Sequence, residues 1–190
     1  MGLIDARELV LDQVTSLFKN DFEIFENNEV VGRITTQGGL GSRLLMGNRE
    51  FLVTELDGAP VLRLVDVVNF GRDTYELHDA SGALLGTLRR EITFLRKRIT
   101  FLPADAGDGL EVQGNFWGYD YQILVRNEPM ATVSQKWAGL GRALMGGQRY
   151  TVSLAHTSDP RLRQVILGVV IAIDLMKAKD QRSAASSSSS

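Results

Sequence analysis

Residues 159–179 read DPRLRQVILGVVIAIDLMKAK, and this stretch decides the fold. Asp159 followed by Pro160 predicts a helix start, because Asp caps helix N-termini and proline is tolerated at the first helical position. Val165 to Ile173 contains no polar side chain. The predicted helix is therefore apolar on every side and must be wrapped by protein or by lipid. The two lysines that follow suit a helix C-terminus, where the helix dipole favours cations.

The length of the apolar stretch favours wrapping by protein. Leu162 to Met176 spans fifteen residues, or about 22 Å of helix, whereas a bilayer core is about 30 Å thick and needs about 20 apolar residues. Arg163 and Asp174 also lie close to its two ends. We therefore expect no transmembrane span, and the alternative is a short membrane anchor.

Most of the remaining chain is typical of antiparallel strands joined by tight turns. Apolar and polar residues alternate on both sides of turns rich in Gly, Asn and Asp. Five hairpins follow one another, at Phe22–Ile34, Leu52–Val65, Tyr75–Leu88, Ile99–Val112 and Tyr121–Val133. Strands near Leu9–Leu11 and Tyr150–Leu154 bring the prediction to about twelve. Twelve strands and one wholly apolar helix predict a mainly β fold, a closed antiparallel barrel around a central buried C-terminal helix at about 160–178.

The chain also repeats itself at an offset of 99 residues. Asp21-Phe22 aligns with Asp120-Tyr121, and Asn28-Glu29 aligns with Asn127-Glu128. Each copy is followed by a Gly-rich segment, at 38–41 and 139–141. The repeat predicts two related, pseudo-symmetric halves of one barrel.

Composition excludes several classes of protein. The chain of 190 residues is 44% apolar and 23% charged, typical of a globular domain. Its net charge of −2 argues against a general nucleic-acid binder. It has no cysteine, which excludes disulfides, thiol nucleophiles and Cys-ligated metals. It has two histidines, which argues against a serine–histidine triad. We expect no catalytic residue, no metal and no cofactor, and an enzyme is a residual hypothesis.

Three segments are expected along the chain. Residues 1–7 form an N-terminal lead, 8–179 a single barrel domain, and 180–190 a disordered Ser-rich tail that cannot bury enough apolar surface to order itself. No secretory signal is visible, so we expect a cytoplasmic monomer that associates with a membrane, if at all, only peripherally.

The C-terminal part of the chain resembles a known family. Ser134-Gln135-Lys136-Trp137, then Tyr150-Thr151-Val152, then an apolar helix with Ala172-Ile173-Asp174 are similar to the LURP-one-related family, and more broadly to tubby C-terminal-like and phospholipid-scramblase-like barrels. The resemblance covers roughly residues 8–179 and implies a twelve-stranded barrel around a central helix. The Gly-rich segments 38–47 and 138–147 are longer than the family leads us to expect.

The resemblance also implies a class of function. Tubby-like relatives bind phosphoinositide head groups, and scramblase-like relatives are associated with moving phospholipids between leaflets. We therefore expect a non-enzymatic binding module for anionic phospholipid or phosphoinositide head groups. Two alternatives stay open: a membrane-associated scramblase-like protein whose helix leaves the barrel, and a scaffold for a protein partner.

The densest run of positive charge is the candidate head-group site. It consists of Arg89, Arg90, Arg96, Lys97 and Arg98. Such residues hold phosphate through charge-assisted hydrogen bonds; the alternative is a solvated strand edge whose charges discourage pairing with another sheet. The residues expected to form the structural core of the helix are Leu162, Val165, Ile166, Val169, Val170, Ile173 and Asp174.

Two acidic features have structural interpretations. Asp105, Asp108 and Glu111 fit no EF-hand spacing, so a solvated turn is favoured over a calcium site. Asp174 lies beside a buried apolar run and needs a partner. We expect an arginine or strand N–H groups at the barrel mouth, with a proton-relay or ligand role as the alternative.

Overall fold

The fold is a closed antiparallel β-barrel with a helix along its axis, as the sequence predicts. The structure, a computed structural model, describes residues 2–12, 21–37, 49–67, 73–92, 97–135 and 149–187. These form twelve strands and one α-helix: β1 (Glu8–Asp12), β2 (Asp21–Glu26), β3 (Glu29–Gln37), β4 (Arg49–Glu55), β5 (Pro60–Val67), β6 (Thr74–Asp79), β7 (Leu84–Ile92), β8 (Lys97–Pro103), β9 (Leu110–Asn115), β10 (Asp120–Val125), β11 (Glu128–Ser134), β12 (Arg149–Ser153) and α1 (Pro160–Ser187).

Each strand pairs with its neighbours in the chain, and the first strand closes the barrel on the last. The closing pair β1–β12 runs antiparallel from Glu8 opposite Ser153 to Asp12 opposite Arg149. Closure removes the unpaired strand edges that an open sheet would present. The five predicted hairpins are β2–β3, β4–β5, β6–β7, β8–β9 and β10–β11.

The core lies where the inner faces of the strands meet α1. Residues 166–173 of the helix are all buried, and their apolar side chains are at most 1% exposed, although they cover every side of the helix. Gly168 allows this close fit, because a Cβ there would lie 2.4 Å from Cδ2 of Leu77 on β6. The predicted wrapping of the helix by protein is confirmed, and the lumen of the barrel is filled.

The barrel has two distinct ends. The turn end carries the hairpin turns at 27–28, 56–59, 80–83, 104–109 and 126–127, and α1 begins there. The exit end is the opposite mouth, where α1 leaves the barrel. At the turn end, the Arg163 guanidinium donates to the carbonyls of Ile4, Ala6 and Thr157. These three hydrogen bonds connect the helix to the N-terminal segment and to the linker before α1.

The N-terminal lead is part of the barrel core. Leu3 and Ala6 are fully buried, and the Leu3 N–H donates to both carboxylate oxygens of Glu55, at 2.9 and 3.0 Å. The predicted lead therefore packs against the barrel domain, and its apolar side chains cover the turn end of the barrel.

The helix is longer than the sequence predicts. Asp159 caps it as expected, with its Oδ1 accepting from the Arg161 N–H at 2.9 Å. Its C-terminus is at Ser187, not near 178, so the segment 180–187 is helical where a disordered tail is predicted. Ser183 donates its hydroxyl to the Lys179 carbonyl, and alanines 184 and 185 are strong helix formers. Residues 188–190 lie outside the described part of the chain.

The internal repeat is visible in the backbone. Asn27 and Asn28 have φ of 51° and 67°, and their counterparts Arg126 and Asn127 have φ of 50° and 67°. Two successive positive φ angles are typical of the tight hairpin turns that match strand twist. The ladder shifts register after Ile24 in one copy and after Ile123, 99 residues later, in the other. The Gly-rich segments 38–41 and 139–141 lie outside the described residues.

Removing residues 159–190 is expected to abolish folding. Each large apolar side chain of α1 contributes about 1.5–3 kcal/mol by burial, so six of them contribute about as much as a typical domain stability of about 5–15 kcal/mol. Circular dichroism and sedimentation velocity of a chain ending at Ser158 measure the effect. A chain ending at Arg182 is the control, because residues 183–186 are exposed. It should fold and be as stable as the parent. A folded, monomeric chain ending at Ser158 would contradict the prediction.

Candidate functional site

A network of charged side chains surrounds α1 at the exit end. The Arg90 guanidinium binds Asp73 on one side and the carboxylate of Asp180 at 2.9 Å on the other. Lys179 Nζ lies 2.8 Å from Asp73 Oδ1 and 3.9 Å from Asp66 Oδ1. Asp66 and Asp73 are both buried, at 8% exposure. The network therefore joins two partly exposed charges of the helix, on Lys179 and Asp180, to buried charges at the mouth of the barrel.

Asp66 has the least favourable environment in this network. Burial raises the pKa of its carboxyl, and the nearby Asp73 raises it further, against the opposing effect of Lys179. Desolvation outweighs the cations because Lys179 lies closer to Asp73 than to Asp66. The ionised form of Asp66 is consequently disfavoured in the folded protein.

Asp174 lies deeper, among tyrosines inside the barrel, at 1% exposure. Tyr119 donates its hydroxyl to Oδ1, and the Tyr150 hydroxyl lies 3.5 Å from Oδ2. The two rings stack with centroids 4.4 Å apart. Burial, and then the charge of Asp174, raise the pKa of both hydroxyls, so they remain protonated donors. Two tyrosine hydroxyls are therefore among the partners of Asp174, and they satisfy the buried carboxylate without desolvating a second charge.

A left-handed backbone conformation places the Tyr119 side chain. Tyr119 follows a 3-10 turn, Phe116–Gly118, and has φ of 50°. Asn115 caps this turn by accepting from the Gly118 N–H, and the Gln135 N–H donates to the Tyr119 carbonyl at 2.9 Å. Such a conformation costs a bulky residue about 1–3 kcal/mol, and the hydrogen bonds around it offset that cost.

The two late lysines of the helix do not neutralise a helix C-terminus. The helix continues to Ser187, so the dipole interpretation of these residues is wrong. Lys179 belongs to the ion-pair network, and Lys177 Nζ lies 3.7 Å from the centroid of the Tyr119 ring. Burial lowers the pKa of Lys177. Both lysines therefore interact with side chains of the barrel and not with the end of the helix.

The basic run predicted as a head-group site is divided between two faces. Arg90 points inward with Leu88 and is held by Asp73 and Asp180, beneath the Trp117 ring at 5.6 Å. The exposed members, Arg89 and Arg98, lie on the outer face. Arg96 lies outside the described residues, and of Lys97 only the backbone, at the start of β8, is described.

Arg89 and Arg98 are diagonal neighbours on the outer face. Arg89 is opposite Thr100 on β8, and Glu91 is opposite Arg98. Diagonal neighbours in an antiparallel pair lie about 7–8 Å apart at their backbones. Arg98 also binds Glu111 at 2.9 Å, with both side chains partly exposed. An exposed pair of this kind contributes about 0–1 kcal/mol, so the guanidinium is available to a stronger anion.

The acidic turn consists of separate ion pairs. Asp105 binds Arg161 at 2.7 Å, Asp108 binds Arg126 at 2.8 Å, and Glu111 binds Arg98. In the part of the chain that the structure describes, no three His, Asp or Glu side chains are grouped so as to hold a metal ion.

Two adjoining clefts lie at the turn end, which the sequence does not reveal. The larger, of about 680 Å³, lies between the start of α1 and the turns that follow β4 and β6. The smaller, of about 220 Å³, lies between α1 and the turn that follows β8. Leu85 and Arg161 line both clefts. Together they form one surface, the turn-end groove.

The comparisons with known proteins agree with the fold. The sequence profile described as LURP-one-related matches residues 7–174, most of the chain. The chain belongs to the LURP-one-related family. The matched region ends at the buried Asp174, so Lys179 and Asp180 of the exit-end network lie beyond it. An X-ray structure of a protein from Arabidopsis thaliana is similar in fold, with a TM-score of 0.55 and 16% identity over 90% of this chain and 94% of that chain. No curated protein matches the chain.

Tyr119→Phe is expected to destabilise the protein by about 1.5–3 kcal/mol, because it removes a donor from a buried carboxylate. Urea denaturation measures the free energy of unfolding. Tyr121→Phe is the matched control, since the equally buried Tyr121 hydroxyl has no hydrogen-bond partner among the described residues; it should cost little. An equal loss of unfolding free energy in the two variants would contradict the role assigned to Tyr119.

Asp66→Asn should change the pH dependence of stability. Because the pKa of Asp66 is raised in the folded state, its contribution is present below the ordinary carboxyl pKa and is lost as pH rises through the raised value. The variant should therefore gain stability relative to the parent between acid and neutral pH, measured by urea denaturation at several pH values.

Asp79→Asn provides the control of opposite sign. The Ser81 hydroxyl, followed by backbone N–H groups, lowers the pKa of Asp79. This variant should therefore lose stability relative to the parent as pH rises from the lowered pKa to the ordinary carboxyl pKa, and the difference should stay constant above it. Parallel pH profiles for the parent and Asp66→Asn would contradict the account of the buried carboxylate.

Proposed function

We propose that this protein is a non-enzymatic binding module that holds an anionic phospholipid or phosphoinositide head group against the outer face of β7 and β8, near the exit end. The observation that carries the proposal is the filled lumen. Since α1 occupies the barrel axis, a ligand must bind at an end or on the outer wall. The exposed arginines Arg89 and Arg98 lie together on that wall.

The chemistry of these two arginines suits a phosphate. A guanidinium offers forked N–H donors that match phosphate oxygens, and such charge-assisted hydrogen bonds are stronger than neutral ones. The Glu111 carboxylate that holds Arg98 is partly exposed, so a phosphate can replace it. Arg90 is not assigned to the site, because its guanidinium is already bound by Asp73 and Asp180.

The absence of enzymatic activity is part of the proposal. His78 contacts the Gly82 carbonyl and Glu76, and it lies on a different element from His156, the second histidine of the chain. The buried Asp174 and its tyrosines are enclosed by the barrel, which supports a structural role for them. We further propose a cytoplasmic monomer that associates with membranes only through its surface.

The scramblase-like alternative has no observation in its favour. It requires α1 to leave the barrel, which would expose residues 165–173 at about 1.5–3 kcal/mol for each large apolar side chain. In the described part of the chain, no helix has the length and apolar character needed to cross a membrane.

Binding to anionic vesicles should depend on Arg89 and Arg98. The double variant Arg89→Gln with Arg98→Gln is expected to weaken binding roughly tenfold or more, at about 1 kcal/mol per cation near the surface. Co-sedimentation with phosphatidylcholine vesicles, with and without phosphatidylserine or a phosphoinositide, measures it, and binding should fall as salt increases.

The control variant is Arg33→Gln with Arg126→Gln, which removes two exposed arginines from other parts of the surface. It should bind like the parent. The proposal fails if the parent binds no anionic vesicle at low salt, or if the two double variants lose binding equally.

A further inference from the structure

The turn-end groove has an apolar floor that continues beyond the groove. Leu85, Phe101, Leu110 and Leu162 line it from the strands and the helix. At its margin Leu84 is 41% exposed, and Leu102, on the neighbouring strand, is 47% exposed. Large apolar side chains at the surface mark interaction sites when they adjoin a groove. The continuation onto the outer wall makes this surface wider than a small molecule needs.

The rim of the groove is negatively charged. Its lining includes one guanidinium, that of Arg161, and five carboxylates, those of Glu55, Asp79, Asp105, Asp108 and Asp159. Arg161 is bound by Asp105 at 2.7 Å, and Asp108 is bound by Arg126 at 2.8 Å. Among the ion pairs of the described residues, Glu55, Asp79 and Asp159 have no cationic partner, and they carry the negative charge of the rim. Asp79 Oδ1 accepts from the N–H groups of Ser81 and Ala83 and from the Ser81 hydroxyl, which keeps the carboxylate ionised.

We propose that the turn-end groove binds a basic segment of a protein partner. Leucine or similar side chains of that segment lie on the apolar floor, and its Lys or Arg side chains pair with the carboxylates of the rim. Charge complementarity selects this occupant, because an anionic head group would be repelled here. The inference goes beyond the head-group function, which uses the exit-end part of the β7–β8 wall, whereas the groove lies at the turn end. A protein with both surfaces would join a basic partner to an anionic surface.

Nuclear magnetic resonance of the full-length, 15N-labelled chain tests the proposal. The probe is a short synthetic peptide that alternates leucine and lysine, and the matched probe replaces lysine with glutamate. The lysine peptide should shift the amide signals of the turns at 80–83 and 104–109 and of the first turn of α1. The glutamate peptide should not shift them.

Substitutions separate the groove from the general charge of the turn end. Asp79→Asn should weaken binding of the lysine peptide about fivefold, and Leu84→Ser about tenfold. The matched controls are Asp57→Asn and Leu56→Ser. Asp57 accepts from a turn N–H as Asp79 does, and Leu56 is 55% exposed, but neither lines the groove. Both controls should stay within about twofold of the parent.

Four results would overturn the proposal: no shift at the turn end, equal binding of the glutamate peptide, equal losses in the control variants, or equally tight binding of dodecyltrimethylammonium. The last would assign the groove to small cationic amphiphiles. Arg89→Gln with Arg98→Gln should leave peptide binding unchanged, so failure here is distinguishable from failure of the head-group proposal.

Discussion

The burial of an all-apolar helix inside a closed sheet is the constraint on which the rest of the structure depends. A helix that presents apolar side chains in every direction needs a continuous wall, and only a closed barrel of this size supplies one from strands. Gly168 shows how tight the fit is, since a single Cβ would collide with Leu77. The two ends of the helix are then fastened by polar groups, Arg163 at the turn end and Lys179 at the exit end.

The filled lumen also determines where function can reside. In a barrel with an empty interior the lumen is the natural ligand site, but here the helix occupies it. The accessible chemistry is therefore divided between the outer wall and the two ends. The arginines Arg89 and Arg98 lie near the exit end, whereas carboxylates surround the groove at the turn end. The outer-wall arginines and the acidic groove are thus two separate surfaces, as the two proposed partners require.

Much of the fold could be predicted from sequence because it follows from local patterns. Alternation of apolar residues gives the strands, and the turn at Asn27-Asn28 is encoded by residues that tolerate positive φ. The division of the basic run could also have been found, because neighbours such as Arg89 and Arg90 must point to opposite faces of a strand. The exit-end network could not be predicted, because Asp73 and Lys179 are 106 residues apart and meet only after the barrel closes. The groove could not be predicted either, because it also forms only when the barrel closes. The position of the Tyr119 side chain depends on a backbone conformation that its residue type disfavours, so the sequence pattern does not reveal it.

Amide hydrogen exchange of α1 tests the central claim most directly. If the helix is enclosed by the sheet, the amides of residues 166–173 exchange only when the whole protein unfolds, with a free energy of opening equal to that of global unfolding. This equality should persist in the presence of anionic vesicles. Exchange of these amides at a markedly lower free energy than that of β5 and β6 would mean that the helix leaves an intact barrel, and the account would be wrong.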